Sequence, residues 1–324
     1  MTLLFLLTWW DASHGMIARI AQREITSKQN QWITSLFNRW AGEEGDMVSL
    51  AGWQDDIKGK GVYPMGNWHF INQPFIDSQS NMSKLHIKYN YNVTSVCRDL
   101  IETIMDKTTT NDWALGFALR SLVHFIGDAH CPMHSVSFYS DEYPNGDKGG
   151  NAYYIHANRI DNETKCLHML WDNAGLSFKK TYPHDIYESN TTKIIKKYPR
   201  NTLKKELDNL DPKLTYAKEA NDIATTFAYT IAKNAIPSEE YLKKARELSQ
   251  KQIALGGYRL ADVLNNFFSS RGMVNIPNKE SYKIRKNEVV AWCLVVLCLV
   301  VIIISYICDF FKSKSYGIRS KPLI

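Results

Sequence analysis

Hydrophobic positions along most of this chain recur every three or four residues, which is the spacing of an amphipathic α-helix. The clearest run covers residues 112–128, and Cys131-Pro132 then ends the pattern. Helical periodicity is also present in three other ranges: 14–25, 214–236 and 239–268. We therefore expect a mainly α protein with a single all-helical domain.

Segments that read as strand or loop are few. The two-residue alternation of a strand is confined to YYIHANRI, residues 153–160, and to a short run around Trp68. Residues 140–151, SDEYPNGDKGGN, are rich in turn-forming residues and predict a loop. These segments leave the helical prediction for the chain unchanged.

One segment has the length and composition of a membrane span. Residues 289–308 contain no charged side chain over twenty positions, which is enough to cross a bilayer as one transmembrane helix. A buried core helix and a cleaved lipid-anchor signal are the alternatives. A lipid-anchor signal ends in its hydrophobic tail, whereas basic residues follow here in 309–324, so the span is the favoured interpretation.

The orientation of the span follows from features that precede it. Residues 1–8, MTLLFLLT, resemble the end of a short or truncated signal peptide. Four N-glycosylation sequons lie before the span and none after it: Asn81, Asn92, Asn162 and Asn190. We expect a single-pass protein of the secretory pathway, with an extracellular or lumenal body, a juxtamembrane stalk at 270–288 and a basic cytoplasmic tail at 309–324.

Charge and cysteine content exclude two classes of protein. The formal net charge is +6, and about half of it lies in the tail after Asp309, so binding of nucleic acid by charge alone is excluded. Outside the span and tail, the cysteines are Cys97, Cys131 and Cys166. This odd number allows one disulfide bond with one thiol left over, and it excludes a disulfide-rich scaffold.

Ionisable side chains collect in LVHFIGDAHCPMH, residues 122–134. His124 and Asp128 are four residues apart and share one face of the predicted helix, and His134 follows just past Pro132. Burial of an ionisable pair inside an apolar helix costs free energy unless hydrogen bonds or a metal ion satisfy both groups. Zinc suits imidazole and carboxylate at this spacing, while a structural His–Asp hydrogen bond is the alternative.

Other histidines and aspartates lie in similar aromatic or apolar contexts. His168 and Asp172 repeat the four-residue spacing in CLHMLWD. Three single residues have tryptophan or another aromatic nearby: His14, Asp55 and His69. Taken singly, Asp55 and His69 are more typical of a structural role, but the whole set indicates a site for several metal ions.

Six motifs in a fixed order resemble one family. They are W-x4-H from Trp9, W-x-D, W-H-F-I, L-V-H-F-x-G-D-x-H-x-P-x-H, G-D-x-G-G-N and L-H-x-x-W-D. Their order and spacing are similar to the class I nucleases, the zinc-dependent single-strand-specific nucleases and 3′-nucleotidases related to bacterial zinc-dependent phospholipase C. The resemblance implies a nuclease domain over residues 9–269, with three Zn²⁺ in a cleft of the all-helical fold.

The resemblance also implies which residues bind each zinc ion. The first ion would be held by Asp55, His69, His124 and Asp128. The second would be held by the α-amino group and carbonyl of Trp9, by His14 and by the shared Asp128. The third would be held by His134, His168 and Asp172. Since Trp9 must offer a free amine, the bond between Thr8 and Trp9 has to be cut.

Four further positions match substrate-handling residues of the family. Asn151 would help hold the phosphate, and Lys58 would face charge that develops in the transition state. Phe70 would stack on a base, and Asn72 stands where the family often has Asp, which leaves base preference open. A solvated lysine is the alternative for Lys58, and core packing is the alternative for Phe70.

The implied activity is hydrolysis of single-stranded DNA and RNA to 5′-phosphorylated products, with removal of 3′-phosphates from nucleotides. A zinc-activated hydroxide would attack phosphorus, so no side-chain nucleophile is needed. A zinc-dependent phospholipase C would use the same metal ligands. A catalytically silent surface protein could keep zinc only to fold.

Overall fold

The computed structural model describes residues 11–40, 44–80, 91–109, 111–179, 184–208, 216–273 and 289–307. The predictions for Trp9, Asn81, the signal peptide 1–8 and the tail 309–324 lie outside these ranges, as does most of the stalk. The chain divides into two units, Met1–Val274 and Asn275–Ile324. Each unit is described by itself.

The first unit is helical, which confirms the predicted fold class. Its described α-helices are α1 (Asp11–Arg23), α2 (Ser27–Trp40), α3 (Trp53–Gly59), α4 (Val93–Met105), α5 (Asp112–Ala129), α6 (Asn158–Asp161), α7 (Leu167–Asp172), α8 (His184–Lys197), α9 (Lys204–Leu207), α10 (Ala217–Thr226) and α11 (Glu239–Arg271). Short 3₁₀ helices cover Tyr63–His69, Pro132–His134, Arg200–Leu203 and Ala228–Thr230.

Helix α5 lies at the centre of the core. Its first turn is capped by Asn111, whose side chain accepts hydrogen bonds from the backbone N–H groups of Trp113 and Ala114. From Leu115 to Ala129 it is almost entirely buried. Each fully buried large apolar side chain contributes about 1.5–3 kcal/mol to the free energy of folding. The N-terminal helix α1 and the long C-terminal helix α11 pack against it and against each other.

Glycines allow α1 to approach its neighbours closely. A Cβ atom on Gly257 of α11 would lie 2.5 Å from Cβ of Ile20, and one on Gly127 of α5 would lie 2.6 Å from Nδ1 of His14. Neither glycine can therefore be replaced without moving α1 or its side chains. This close packing brings His14 against the face of α5 that carries His124 and Asp128.

The sheet among the described residues has two parallel strands. They are β1 (Gln73–Ile76) and β2 (Val136–Tyr139), with Gln73 opposite Val136. Both strands immediately follow segments that carry predicted metal ligands. The pairing thus holds the residues after His69 beside those after His134.

Both strand predictions are wrong. The run around Trp68 is the 3₁₀ helix Tyr63–His69, and residues 153–160 contain one isolated bridge, Tyr154 with Cys166, followed by α6. The alternation in 153–160 is real, since Tyr153, Ile155 and Ala157 are buried. It anchors an irregular segment to the core without pairing that segment into a sheet.

Two helices also end at residues other than those that the hydrophobic periodicity predicts. The helix predicted for 214–236 is regular only over α10, because Phe227 leaves the helical backbone region with φ −134° and ψ −47°. Helix α11 continues to Arg271, whose guanidinium donates to the backbone carbonyls of Ile104 and Thr109. The first residues assigned to the stalk therefore belong to the folded body.

The predicted disulfide is not formed among the described cysteines. Cys97, Cys131 and Cys166 are all buried free thiols. Cys97 is on α4 and Cys131 follows α5, where its thiol contacts Asp172. An odd cysteine count permits a bridge, but it cannot show whether the side chains meet.

The second unit contains one described helix, α12 (Val289–Ile307). It is 19 residues long and has a mean hydropathy of 3.0. By length and composition it could cross a membrane.

Candidate metal centre

Six elements bring the predicted ligands of the described chain together. Helix α5 supplies His124 and Asp128 one turn apart, and the 3₁₀ turn after it supplies His134. The other ligands come from α1, α3, the end of the 3₁₀ helix Tyr63–His69, and α7: His14, Asp55, His69, His168 and Asp172. All eight side chains converge in three adjoining clusters.

The first cluster contains Asp55, His69, His124 and Asp128. Nδ1 of His69 lies 2.9 Å from Oδ2 of Asp128 and 3.5 Å from Oδ1 of Asp55. Nε2 of His124 lies 3.1 Å from the same Asp128 oxygen and 3.2 Å from Nδ1 of His69. Donor atoms around a tetrahedral zinc ion lie roughly 3.3 Å from one another, so these four residues fit one ion.

The second cluster forms around the other oxygen of Asp128. Nε2 of His14 lies 3.4 Å from Oδ1 of Asp128. The ring of His14 is stacked on that of His124. Trp9, the remaining predicted ligand of this ion, lies outside the described residues. Oδ1 of Asp128 also lies 3.1 Å from Nδ1 of His134, so the two oxygens of Asp128 face different ligands of the centre, as a bridging carboxylate requires.

The third cluster contains His134, His168 and Asp172. Nε2 of His168 is 3.3 Å from Oδ2 of Asp172, and Nε2 of His134 is 3.7 Å from Oδ1. The two imidazole rings are nearly parallel, with centroids 5.1 Å apart. The carboxylate therefore faces the inward nitrogen atoms of both histidines.

Backbone carbonyls set the orientation of three histidines. Nδ1–H of His124 donates to the carbonyl of Ala51, that of His134 to the carbonyl of His69, and that of His168 to the carbonyl of Gly149. Each bond orients its ring so that Nε2 faces the centre, where the neutral imidazole can bind an ion through that atom. Histidine ligands in metalloproteins are oriented by this kind of bond.

Charge in the centre is divided between buried carboxylates and imidazoles. Burial lowers the pKa of His69 to about 4. Although burial also opposes a charge on His134, Asp128 and Asp172 raise its pKa to about 10. Despite burial, His124 and His134 hold the pKa of Asp128 well below its usual range. The Asp128 carboxylate is therefore ionised and is available as a ligand.

Some polar atoms of the centre lack hydrogen-bond partners. Within the described part of the chain, Nε2 of His134 and Oδ2 of Asp172 make no hydrogen bond, although both residues are almost completely buried. Such atoms cost about 1–3 kcal/mol each when nothing satisfies them. A metal ion bound between them satisfies both, so the residues present fit the ions that the motifs imply.

Comparison with known proteins agrees with this geometry. The family model for the S1/P1 nucleases matches residues 9–269. The chain belongs to the S1/P1 nuclease family.

Curated relatives span nearly the same region. Endonuclease 4 of Arabidopsis thaliana is 26% identical over 82% of this chain and 91% of its own length. Nuclease S1 of Aspergillus oryzae is 27% identical over 78% of this chain and 89% of its own length. Nuclease P1 of Penicillium citrinum is 23% identical over 81% of this chain and 98% of its own length.

The four residues predicted to handle substrate are all half-buried in this S1/P1 nuclease fold. Nζ of Lys58 donates to Oδ1 of Asp55 at 2.9 Å, so the lysine lies beside the first cluster. Phe70 is half-buried and directly follows His69. Asn72 has a left-handed backbone with φ 50°. The backbone N–H of Ile71 donates to the carbonyl of His134, which joins this segment to the third cluster.

Asn151 lies in a loop that contacts the third cluster. Its side-chain amide donates to the carbonyl of Lys148 within the same turn. A Cβ atom on Gly149 would lie 2.4 Å from the carbonyl oxygen of Met133, and the residue has φ 64°. Glycine is therefore required there for the loop to reach His168, which donates to the Gly149 carbonyl.

A buried network behind α5 was largely missed by motif analysis. Nη1 of Arg259 on α11 donates to Nε2 of His130 at 2.8 Å, and the guanidinium also forms two bonds with Glu219. Burial and the adjacent Arg259 lower the pKa of His130 well below its usual value, so this histidine is a neutral acceptor. An arginine within the apolar run of α11 was the signal available in the sequence.

The predicted glycosylation sites differ in local structure. Asn92 is the N-cap of α4, and its Oδ1 accepts hydrogen bonds from the backbone N–H groups of Thr94 and Ser95. Asn162 is exposed and follows α6 with a left-handed backbone, φ 65°. Asn190 lies within α8. Asn162 is thus the most open of the three described sequons.

Proposed function

We propose that this protein is a zinc-dependent nuclease and 3′-nucleotidase. It hydrolyses single-stranded DNA and RNA to 5′-phosphorylated products and removes 3′-phosphates from nucleotides. The observation that carries the proposal is the position of Asp128 between two clusters, with one oxygen 3.1 Å from Nε2 of His124 and the other 3.4 Å from Nε2 of His14. A carboxylate shared in this way is suited to a pair of ions.

Three zinc ions complete the centre in this proposal. Asp55, His69, His124 and Asp128 hold one, Trp9, His14 and Asp128 hold the second, and His134, His168 and Asp172 hold the third. When bound, zinc makes water a nucleophile near neutral pH and neutralises charge on a phosphate group. The carbonyl bonds of Ala51, His69 and Gly149 keep the histidines aligned throughout turnover.

Other residues position the substrate. Lys58 brings a positive charge to the rim of the first cluster, where it faces the charge that grows on the phosphoryl oxygens. Phe70 offers a half-buried ring on which any base can stack, and such stacking is tolerant of sequence. Asn72 presents both a donor and an acceptor to a base edge, and Asn151 holds the phosphate beside the third cluster.

A lipid headgroup is the other phosphodiester that three zinc ions could hydrolyse. The half-buried Phe70 and the amide of Asn72 suit a flat base better than a flexible headgroup. Parallel assays of the full chain on single-stranded DNA and on phosphatidylcholine vesicles separate the two activities. We expect turnover of the nucleic acid, and turnover of the lipid alone would contradict the proposal.

The localisation and membrane orientation that we propose follow from segments of the chain outside the metal centre. A signal peptide at 1–8 is removed, the body at 9–269 is extracellular or lumenal, and α12 anchors it in the membrane. The exposed Asn162 supports a glycosylated body. Proteolysis of intact cells or sealed microsomes, followed by detection of the body and the tail, tests this orientation.

The experiment that tests the activity combines metal analysis with hydrolysis. The full chain in detergent is assayed on single-stranded DNA before chelation, after chelation, and after zinc is returned. We expect activity to vanish and then return with zinc. Activity that survives complete removal of the metal would exclude the proposal, and a zinc-loaded protein without hydrolysis would favour the silent, zinc-folded alternative.

A further inference from the structure

A buried thiol contacts the third cluster. Cys131 follows α5 directly, immediately before the turn that carries His134, and it is 0% exposed. Its Sγ atom donates to Oδ1 of Asp172 at 3.7 Å.

The two oxygens of Asp172 have different surroundings. Oδ1 accepts the Cys131 thiol and lies 3.7 Å from Nε2 of His134, whereas Oδ2 lies 3.3 Å from Nε2 of His168. Among the described residues, Oδ2 of Asp172 and Nε2 of His134 make no hydrogen bond, and both side chains are at least 98% buried. These atoms point into the cluster and mark the positions where an ion would bind.

A bound carboxylate needs such a partner because its terminal torsion is soft. The χ2 angle of aspartate has a broad distribution, so packing alone does not fix which way the two oxygens face. Hydrogen bonds to ligating carboxylates commonly supply this orientation in metalloproteins. In α7 the backbone carbonyl of Asp172 accepts from the Ser13 hydroxyl, which fixes the main chain but not the carboxylate.

We propose that Cys131 is a positioning residue for the third metal ion. Its S–H group holds Oδ1 of Asp172, which presents Oδ2 toward the ion together with Nε2 of His134 and Nε2 of His168. Sγ of Cys131 lies within 4.8 Å of donor atoms of His134 and Asp172, and we assign it the outer role of a hydrogen-bond donor rather than that of a ligand. This inference rests on the proposed function, since it concerns the ion that these three residues hold.

The test compares two substitutions of Cys131 with a matched control. Cys131→Ala removes the donor, and Cys131→Ser keeps a donor on the same carbon. Cys97→Ala truncates another fully buried cysteine, on α4. The full chains are loaded with zinc, and the zinc bound per chain and its release to a colorimetric chelator are measured, with thermal unfolding recorded as a check on folding.

We expect Cys131→Ala to bind one of its zinc ions about 10–100-fold more weakly, which is the usual effect of removing an outer partner of a metal ligand. The zinc affinity of Cys131→Ser should lie between those of the alanine variant and the wild type. The zinc affinity of Cys97→Ala should match that of the wild type. Equal zinc affinity in wild type and Cys131→Ala would overturn the inference.

Cobalt substitution distinguishes a positioning residue from a ligand. Cobalt bound through sulfur has an intense sulfur-to-metal charge-transfer band, which we expect to be absent from the wild-type spectrum. A band present in wild type and lost in Cys131→Ser would overturn the inference by making Cys131 a ligand. Failure of the proposed function is separate, because the wild-type chain would then bind no zinc or would not hydrolyse nucleic acid.

Discussion

The imidazole rings of His14 and His124 lie face to face, with centroids 3.9 Å apart and planes 13° apart. Both rings direct Nε2 toward Asp128, at 3.4 Å and 3.1 Å from its two oxygens. Two protonated rings could not remain stacked so closely. Burial and the adjacent His124 lower the pKa of His14, which keeps its ring neutral and able to bind a metal.

Gly127→Ala should disrupt this stack. A Cβ atom there would lie 2.6 Å from Nδ1 and 3.0 Å from Cε1 of His14. Alanine favours a helix by about 0.8–1.0 kcal/mol over glycine, so any loss of activity or stability comes from the clash with His14. We expect kcat/KM on single-stranded DNA to fall by at least tenfold, with weaker binding of one zinc ion.

Gly256→Ala is the matched control for that substitution. It also introduces a methyl group into a buried helix, but its nearest contact is 3.4 Å, to Cγ of His130. We expect near wild-type activity and metal content. If both glycine variants behaved alike, the close contact at His14 would not be the cause.

Asp128→Asn should abolish activity. An amide cannot offer two anionic oxygens to two clusters. The loss of activity should therefore exceed the 10–100-fold effect of removing a hydrogen-bond partner of a metal ligand. Steady-state hydrolysis of single-stranded DNA measures it. Asp222→Asn removes an exposed carboxylate on α10 whose described ion pair is with Lys218, and it should leave the rate unchanged. A variant that lost stability but kept its activity would support a purely structural role for the metal.

Arg259→Met should destabilise the body without touching a metal ligand. The guanidinium is fully buried and pairs with Glu219 and His130. Removing one partner of a buried ion pair costs about 3–5 kcal/mol, and partial exposure of Glu219 favours the lower figure. Chemical denaturation of the full chain measures the change. The double variant Arg259→Met/Glu219→Met should recover part of the loss, and no recovery would show that the pair is not the source.

Sequence patterns predicted different parts of the centre with different success. The spacing of His124 with Asp128 and of His168 with Asp172 is local, and helix geometry places each pair on one face. The approach of α1 to α5 depends on Gly127, and its approach to α11 depends on Gly257; hydrophobic periodicity does not reveal either contact. The meeting of Cys131 with Asp172 joins residues 41 positions apart, and no local pattern predicts it.

The wrong strand predictions have a related cause. Alternate burial of Tyr153, Ile155 and Ala157 gives a strand-like pattern, although the segment has no extended partner beyond one bridge. The true strand β1 contains Pro74 and has only four residues, so alternation could not reveal it. Pairing partners are set by the tertiary fold.

Processing of the N-terminus should control activity. The resemblance places the amine of Trp9 in the cluster of His14 and Asp128, and an α-amino group has a pKa of about 7.7–8.0, so it can be deprotonated near neutral pH. A chain that keeps Thr8 ahead of Trp9 offers an amide there instead. We expect that chain to bind one zinc ion poorly and to lose most activity. Equal activity of both forms would exclude the amine as a ligand.

The central claim is that one buried centre holds three zinc ions and hydrolyses single-stranded nucleic acid. Its most direct test is the zinc content of the mature chain that begins at Trp9, measured alongside its hydrolysis of single-stranded DNA. We expect three zinc ions per chain and loss of hydrolysis when they are removed. A chain that contains no zinc and still hydrolyses single-stranded DNA would contradict it.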